Sequence, residues 1–416
     1  MRSRDRTAGE VSEQKDETTR RLKILLIVEP GIDGVFRHVE SLAQYLLSQT
    51  QEVHLAYSDR RSSERLKGLI ELVQQRGGEC INLRTGNAPE IGDLHCFWRL
   101  WHFARRLQLD VIHAHSAKAG VLGRGLALAG VGGSYFYTPH AYFGMAPRPG
   151  MAVHLYNLIE RVFGRIGTTI NISKDEAAFA ARALKIRPSH SRLIENPVDA
   201  AKFIEVDNTT RLRQRQLLGL PEHATIVGAM GRLSFQKDPI TLYRAMAPLL
   251  RDREELLLYH AGQGELEVDL RKIAEELDIS GRIVRPPYFD EPAAFYQAID
   301  CLVLTSRYEG CSNVLLEAMA SGLPMIVSEA PGTSDITSAN LSHCWAAKAG
   351  DVAGFTRALE AWLEDRSMQR ESNHRDVAVQ RFGEERCYGA LLAEYREAVV
   401  SRSAQTESPR RVRSCG

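Results

Sequence analysis

The sequence predicts an α/β architecture of two doubly wound parallel sheets facing each other across a cleft. Three observations predict it. At 416 residues the chain exceeds one average domain, so two are expected. Short apolar runs recur along it, each closed by a polar or glycine break and followed by a helical pattern, as in successive βαβ units. The alternation lapses near residue 200 and then begins afresh.

Residues 22–28 form an uninterrupted apolar run, the mark of a strand buried on both faces. Pro30, Gly31 and Gly34 break it, and Val35, Val39, Leu42, Ala43 and Leu46 then repeat at helical spacing. Further strands are expected at 52–57, 110–115, 133–138 and 168–172, with helices between them. From Asn196 to Pro221 the pattern turns polar and helical. The second series starts at 224–230 and continues at 255–260, 282–285, 301–304 and 324–327. A last helical pattern spans 388–400. Domains are therefore expected at 21–200 and 201–385. Residues 1–20 and 401–416 read as disordered tails, the second made mildly basic by Arg402, Arg410, Arg411 and Arg413.

Composition narrows the class. The chain is 44% hydrophobic and 25% charged with a net charge of +1, which is ordinary for a soluble globular protein and gives no reason to expect a nucleic-acid partner. Its seven cysteines are scattered, with no Cys-x-x-Cys pair, as expected of reduced thiols in the cytoplasm and not of disulfides or a zinc site. No apolar run approaches the roughly 18–20 residues of a membrane span. The N-terminal segment lacks the apolar centre of a signal peptide.

The most informative stretch runs from Ser306 to Ser328. Glu309 closes the loop after an apolar strand, and Glu317 lies inside the following helix. Between them Gly310, Cys311, Ser312 and Asn313 form a turn that aims backbone N–H groups and a helix N-terminus at one spot. That is an anion-binding arrangement, flanked by carboxylates suited to gripping hydroxyls. Diphosphate plus sugar hydroxyls describes a nucleotide-sugar. Doubly wound sheets bind ligands at the carboxyl ends of their strands, and Gly31, Gly34, His115, His140, Gly231, Arg232, Gly262, Gly264 and Glu309 all fall at such ends.

Arg232 and Lys237 follow a strand beside Gly231. A departing nucleoside diphosphate needs cations at its leaving oxygen. No two aspartates in the chain are two positions apart, so no Asp-x-Asp metal motif is present and the positive charge is expected from the protein. An ordinary surface Arg/Lys pair is the plain alternative. Glu317 sits among Leu316, Ala318, Met319 and Ala320, where a buried carboxylate needs a partner. His113 reads as a satisfied core histidine, and His115 as a possible border of the cleft. The helix near 96–107 mixes Phe97, Trp98 and Trp101 with Arg99, Arg105 and Arg106. It reads as a core helix with a solvated basic edge, the alternative being a helix lying on an anionic membrane surface. A second basic stretch runs from Arg161 to Arg192.

These residues resemble the retaining glycosyltransferases of family four, over about residues 22–400. Glu309 and Glu317 with Gly310, Ser312, Asn313 and the Ala318–Pro324 continuation are similar to the family's signature. Gly231, Arg232, Lys237 and Asp238 resemble its donor-phosphate motif, and 196–203 the segment before its hinge. His113 and His115, with Thr138, Pro139, His140 and Gly144, resemble bacterial members that build surface polysaccharides. The sequence departs from the family at Pro286 and Pro287, where relatives carry glycine, and in the spacing of Gly31 and Gly34.

The resemblance implies the GT-B fold: two Rossmann-like domains, the first completed by a C-terminal helix at about 386–400. It implies donor contacts from Gly34, Arg232, Lys237, Glu309, Gly310, Ser312, Asn313, Val314, Leu315 and Glu317, with the ribose on Glu317. It places His140, Glu309 and Lys237 at the reacting centre, where Glu309 either holds the sugar hydroxyls or acts as nucleophile. No metal or other cofactor is implied. The implied partners are a nucleotide-sugar and a glycan or lipid-linked glycan acceptor. The location is cytoplasmic, with contact at the inner membrane surface in view. A nucleotide-sugar epimerase of the same fold and a non-catalytic nucleotide-sugar-binding subunit are the alternative readings.

Overall fold

The computed structural model describes residues 20–29, 33–60, 63–86, 90, 92–146, 150–286, 292–365 and 372–407. Gly31, most of the expected N-terminal tail and residues 287–291 lie outside these. Seven strands form the first sheet: β1 (Lys23–Val28), β2 (Glu52–Tyr57), β3 (Cys80–Asn82), β4 (Val111–His115), β5 (Ser134–Thr138), β6 (Thr168–Asn171) and β7 (Ser191–Leu193), in the order β3-β2-β1-β4-β5-β6-β7. Six form the second: β8 (Thr225–Met230), β9 (Leu256–Ala261), β10 (Ile283–Val284), β11 (Cys301–Leu304), β12 (Met325–Glu329) and β13 (Cys344–Lys348), in the order β10-β9-β8-β11-β12-β13. Every pairing is parallel, and helices connect the strands.

The continuous apolar runs are explained by burial on two sides. Alternate residues of a strand face opposite ways. Ile24, Leu26 and Val28 of β1 therefore pack with Leu42, Leu46 and Tyr395, while Leu25 and Ile27 pack with Leu100, Phe103 and Leu122. The second sheet repeats the arrangement, with Ile226 and Val227 of β8 in cores on its two faces. Strand order reverses between β1 and β4 in the first sheet and between β8 and β11 in the second, which opens a crevice at the carboxyl ends of those strands.

The structure adds three strands that the sequence reading lacks. β3, β7 and β13 are edge strands with half-exposed residues, so none needs a conspicuous apolar run. The C-terminal helix is longer than expected, Glu384–Glu407, so residues 401–407 continue it and are not a tail. Tyr388, Leu391, Leu392 and Tyr395 of that helix join the core of the first sheet. The helix Asp93–Leu107 buries Cys96, Leu100, Phe103, Ala104 and Leu107; Arg105 lies over the Trp101 ring, and Arg106 pairs with Glu79. It is a core helix. Among the described residues no helix is long and apolar enough to cross a membrane.

Candidate functional site

Two loops close the crevice from opposite sides, and they touch. One follows β5 and carries His140 and Ala141 at φ values of 55° and 92°. Left-handed backbone at two consecutive non-glycine residues persists only where its surroundings hold it. The holding group is the buried Glu176, whose carboxylate accepts from Ala141 N at 2.6 Å and Ile172 N at 2.8 Å. Burial lifts the Glu176 carboxyl to about 7 in spite of those donors. The other loop follows β11. A methyl on Gly310 would stand 2.6 Å from Ala141 N and 2.9 Å from the His140 carbonyl carbon, so only glycine permits this approach.

Glu309 precedes that contact and is buried. Its Oε1 accepts from Lys237 Nζ at 2.6 Å and from the Ser306 hydroxyl at 2.6 Å. Lys237 reaches it from the loop after β8, which is locked to the β11 loop by Arg307 N to Gln236 O at 2.8 Å and Thr305 Oγ1 to Lys237 O at 3.0 Å. Gly262 presses on the same place: at φ 148°, its missing side chain leaves room for the Gly231 carbonyl. Arg232, the next residue, is exposed.

Glu317 is buried on the helix Asn313–Ala320 and doubly held. Arg37 pairs with its Oε1 at 2.7 Å, and the Tyr296 hydroxyl donates to its Oε2 at 2.7 Å. Asn313 bonds across the crevice, donating to Gly34 O at 3.3 Å and accepting from Asn196 Nδ2. The side chains of Val314 and Leu315 lie in the core, so these residues face the crevice through backbone only, and Leu315 N already donates to Ser312 O at 3.1 Å. Ser312 Oγ is buried with no protein partner. A cavity of about 390 Å³ opens here, lined by Arg37, His38, Asn196, Asn313, Glu317 and Tyr388, among others.

The register of the first sheet gathers histidines at this point. Val28 pairs with His115 and His115 with Thr138, so the three strand ends are level. His115 Nδ1 and His140 Nε2 share a hydrogen bond of 3.1 Å, and His38 Nδ1 donates to Asn196 Oδ1 at 2.7 Å. His113 is fully buried with both nitrogens partnered, by Tyr395 at 2.5 Å and Thr138 at 2.9 Å. His115 is fully buried too, with Nε2 lacking a partner. Burial holds His38 down to about 4 and His113, His115 and His140 well below the usual imidazole value. All four are neutral at pH 7.

Two family models match the chain. The Glycosyltransferase Family 4 model covers residues 32–202, and the model for glycosyl transferases group 1 covers 210–376. The chain belongs to the family-four glycosyltransferases. It is 27% identical over 286 residues to the UDP-Gal:alpha-D-GlcNAc-diphosphoundecaprenol alpha-1,3-galactosyltransferase of Escherichia coli, which covers 67% of this chain and 73% of that one. It is 30% identical over 203 residues to the lipopolysaccharide core biosynthesis glycosyltransferase LpsE of Rhizobium meliloti, covering 48% of this chain and 56% of that one. The fold matches HepE of Anabaena, crystallised with UDP and glucose, at a TM-score of 0.73 and 18% identity, over 94% of this chain and all of HepE. The two facing Rossmann-like domains are thus the GT-B fold.

In this glycosyltransferase the structure brings together Glu309, Lys237, Gly310 and the His140 loop, and separately Glu317, Asn313 and Gly34. Arg37, His38 and Tyr296 complete the site without having been singled out from sequence, and Asn196 had been marked only as the start of the segment before the hinge. Only His38 carried a signal, as an imidazole inside the apolar stripe of the first helix beside Val39. The side-chain nitrogens of His38, His115 and His140 lie within 4.8 Å of one another, a spacing open to a metal ion.

Proposed function

We propose that this glycosyltransferase transfers a sugar, with retention of anomeric configuration and without a metal, from a nucleotide-sugar to a glycan or lipid-linked glycan in bacterial surface-polysaccharide assembly. The observation that carries the reading is the Lys237–Glu309–Ser306 constellation beside the Asn313–Ala320 helix N-terminus. It offers a cation and helix N–H groups for a diphosphate and a carboxylate for sugar hydroxyls. Glu317 and Tyr296 suit the ribose hydroxyls. The acceptor oxygen attacks C1 as the C1–O bond to phosphate breaks, and the acceptor proton passes to the departing phosphate oxygen. Lys237 and Arg232 stabilise the charge that develops there. Two hydrogen bonds to Glu309 Oε1 fix the carboxylate in place beside the reacting centre.

The acceptor is assigned to a second interdomain cleft of about 580 Å³, between Gly144, Met145, Phe179 and Arg182 on one side and Glu329 to Thr337 on the other. Pro331 in its wall accepts from Glu309 N at 2.7 Å, so this cleft adjoins the reacting centre. The enzyme would then work at the cytoplasmic face of the membrane, where lipid-linked acceptors are built.

UDP-sugars are the first donors to test, because the Escherichia coli relative is named for UDP-Gal. Incubation with donor and polyprenyl-diphosphate-sugar acceptors, read by NMR of the product anomeric proton, should show the donor's configuration retained. An inverted product overturns the retaining assignment, and donor consumed without acceptor assigns an epimerase. EDTA should leave the rate unchanged; inhibition reversed by Mg²⁺ would overturn the metal-free reading.

A further inference from the structure

The helix Met151–Phe163 is built inside out. Its glutamate faces inward: Glu160 is 6% exposed, accepting from Tyr137 at 2.8 Å and from the buried Arg124 at 3.0 Å. Its large apolar residues face outward. Met151, Leu155, Leu158 and Val162 are 90%, 58%, 56% and 57% exposed. At about 100° per residue these four fall within roughly 60° of arc, on the side away from Glu160. A contiguous outward stripe of this kind marks an interaction surface.

The charge around it has one sign. From residue 150 to 190 every exposed charged side chain is cationic: Arg161, Arg165, Arg182, Lys185 and Arg187, and Lys174, which is turned to Asp335 of the second domain at 3.1 Å. The acids of this segment are turned away. Glu160 and Glu176 are buried, and Asp175 accepts from Gly332 N and Ser334 N of the second domain. The end of the helix and the 182–187 segment form one surface, since Arg161 donates to Ala183 O at 3.1 Å and Gly164 lies against Ile186.

We infer that this face docks on a bilayer containing anionic lipid. The apolar stripe enters the boundary between headgroups and chains, and the cations lie over the lipid phosphates. A second copy of the chain fits poorly, because a two-fold contact would bring the same cations together. The 182–187 segment that adjoins the end of this helix also lines the 580 Å³ cleft through Arg182 and Ala183, so that cleft would open beside the lipid surface. The docking stands on the surface alone; its use in delivering a lipid-linked acceptor rests on the proposed transferase reading.

The test is sedimentation of the full chain with vesicles of phosphatidylcholine alone or mixed with phosphatidylglycerol. The protein should partition onto the anionic vesicles, less so at high salt. Leu155→Ser/Leu158→Ser and Arg161→Glu/Arg165→Glu should each weaken partition at least roughly tenfold, with transfer to a water-soluble acceptor unchanged. Equal binding to both vesicle types, or binding unaffected by the leucine pair, overturns the inference. A dimer in sedimentation velocity that the leucine pair dissolves would assign the face to a second copy and also overturn it. Vesicle binding without turnover of any donor would remove only the transferase reading.

Discussion

The two walls of the crevice solve different electrostatic problems. The second domain places Lys237 against Glu309, and Glu317 within reach of Arg37 from across the crevice; these charges satisfy one another until a ligand arrives. The first domain contributes His38, His113, His115 and His140, all driven neutral by burial. Paired charges can be redirected to an anionic ligand, whereas neutral imidazoles offer hydrogen bonds without net charge. Identical sheet topology at the two switch points thus supports opposite chemistry, decided by which side chains stand at the strand ends.

The sharpest way to break this comparison is to remove the charge. Lys237→Ala should lower kcat by about 10²–10³-fold, the range for loss of one group that stabilises developing charge. Circular dichroism should stay native, because Ser306 still donates to Glu309. Steady-state kinetics with a saturating donor checks it, and a rate within about threefold of the parent would remove Lys237 from the leaving-group role. Next in size is the contact between the walls. Gly310→Ala places a methyl against the backbone of Ala141, so the two loops must part, at about 1–3 kcal/mol. Activity should fall with that separation while the melting temperature drops only modestly, and an unchanged rate would show that the loops need not touch for transfer.

Legibility from sequence follows the same division. Glu317 was visible because a carboxylate inside an apolar segment needs a partner, and Glu309 because it closes the loop at the carboxyl end of an apolar strand, where such sheets bind ligands. The central strands were visible because burial on two faces forces an uninterrupted run, as in β1 and β8. Arg37 and Tyr296 were not, since each acquires its role only when chain folding sets it against a partner far away in sequence. Edge strands such as β3 face solvent on part of their surface and leave no such trace. The outward stripe of Met151, Leu155, Leu158 and Val162 was also hidden. Its period is that of any amphipathic helix, and sequence does not say which face is covered.

A smaller effect tests whether Arg37 belongs to the site or only closes it. Arg37→Ala removes a cation from Glu317 in the 390 Å³ cavity, leaving Tyr296 as its donor. If Glu317 must change partner to receive the ribose, losing Arg37 should shift KM for the donor by a few-fold with kcat nearly constant, about 1 kcal/mol in uniform binding. A fall in kcat with KM unchanged would instead place Arg37 at the transition state.

The smallest effect at neutral pH becomes visible in acid. His38 is held at about 4 by burial, below its ordinary 6.5, so between these values the unfolded chain binds a proton that the folded chain refuses. Stability therefore falls as pH drops from 6.5 toward 4, by an amount on the order of 3 kcal/mol for this one group. Glu176 acts with the opposite sign: raised to about 7, it stabilises the fold below its ordinary 4.5 and loses that contribution as pH rises through 7. His38→Gln keeps a polar side chain near Asn196 and removes the titration. Denaturant unfolding should show its stability equal to the parent's within about 1 kcal/mol at pH 7.5, with a shallower decline toward pH 4. An acid limb of unchanged slope would mean that His38 takes up its proton without loss of packing, and the neutral character assigned to this wall would fail.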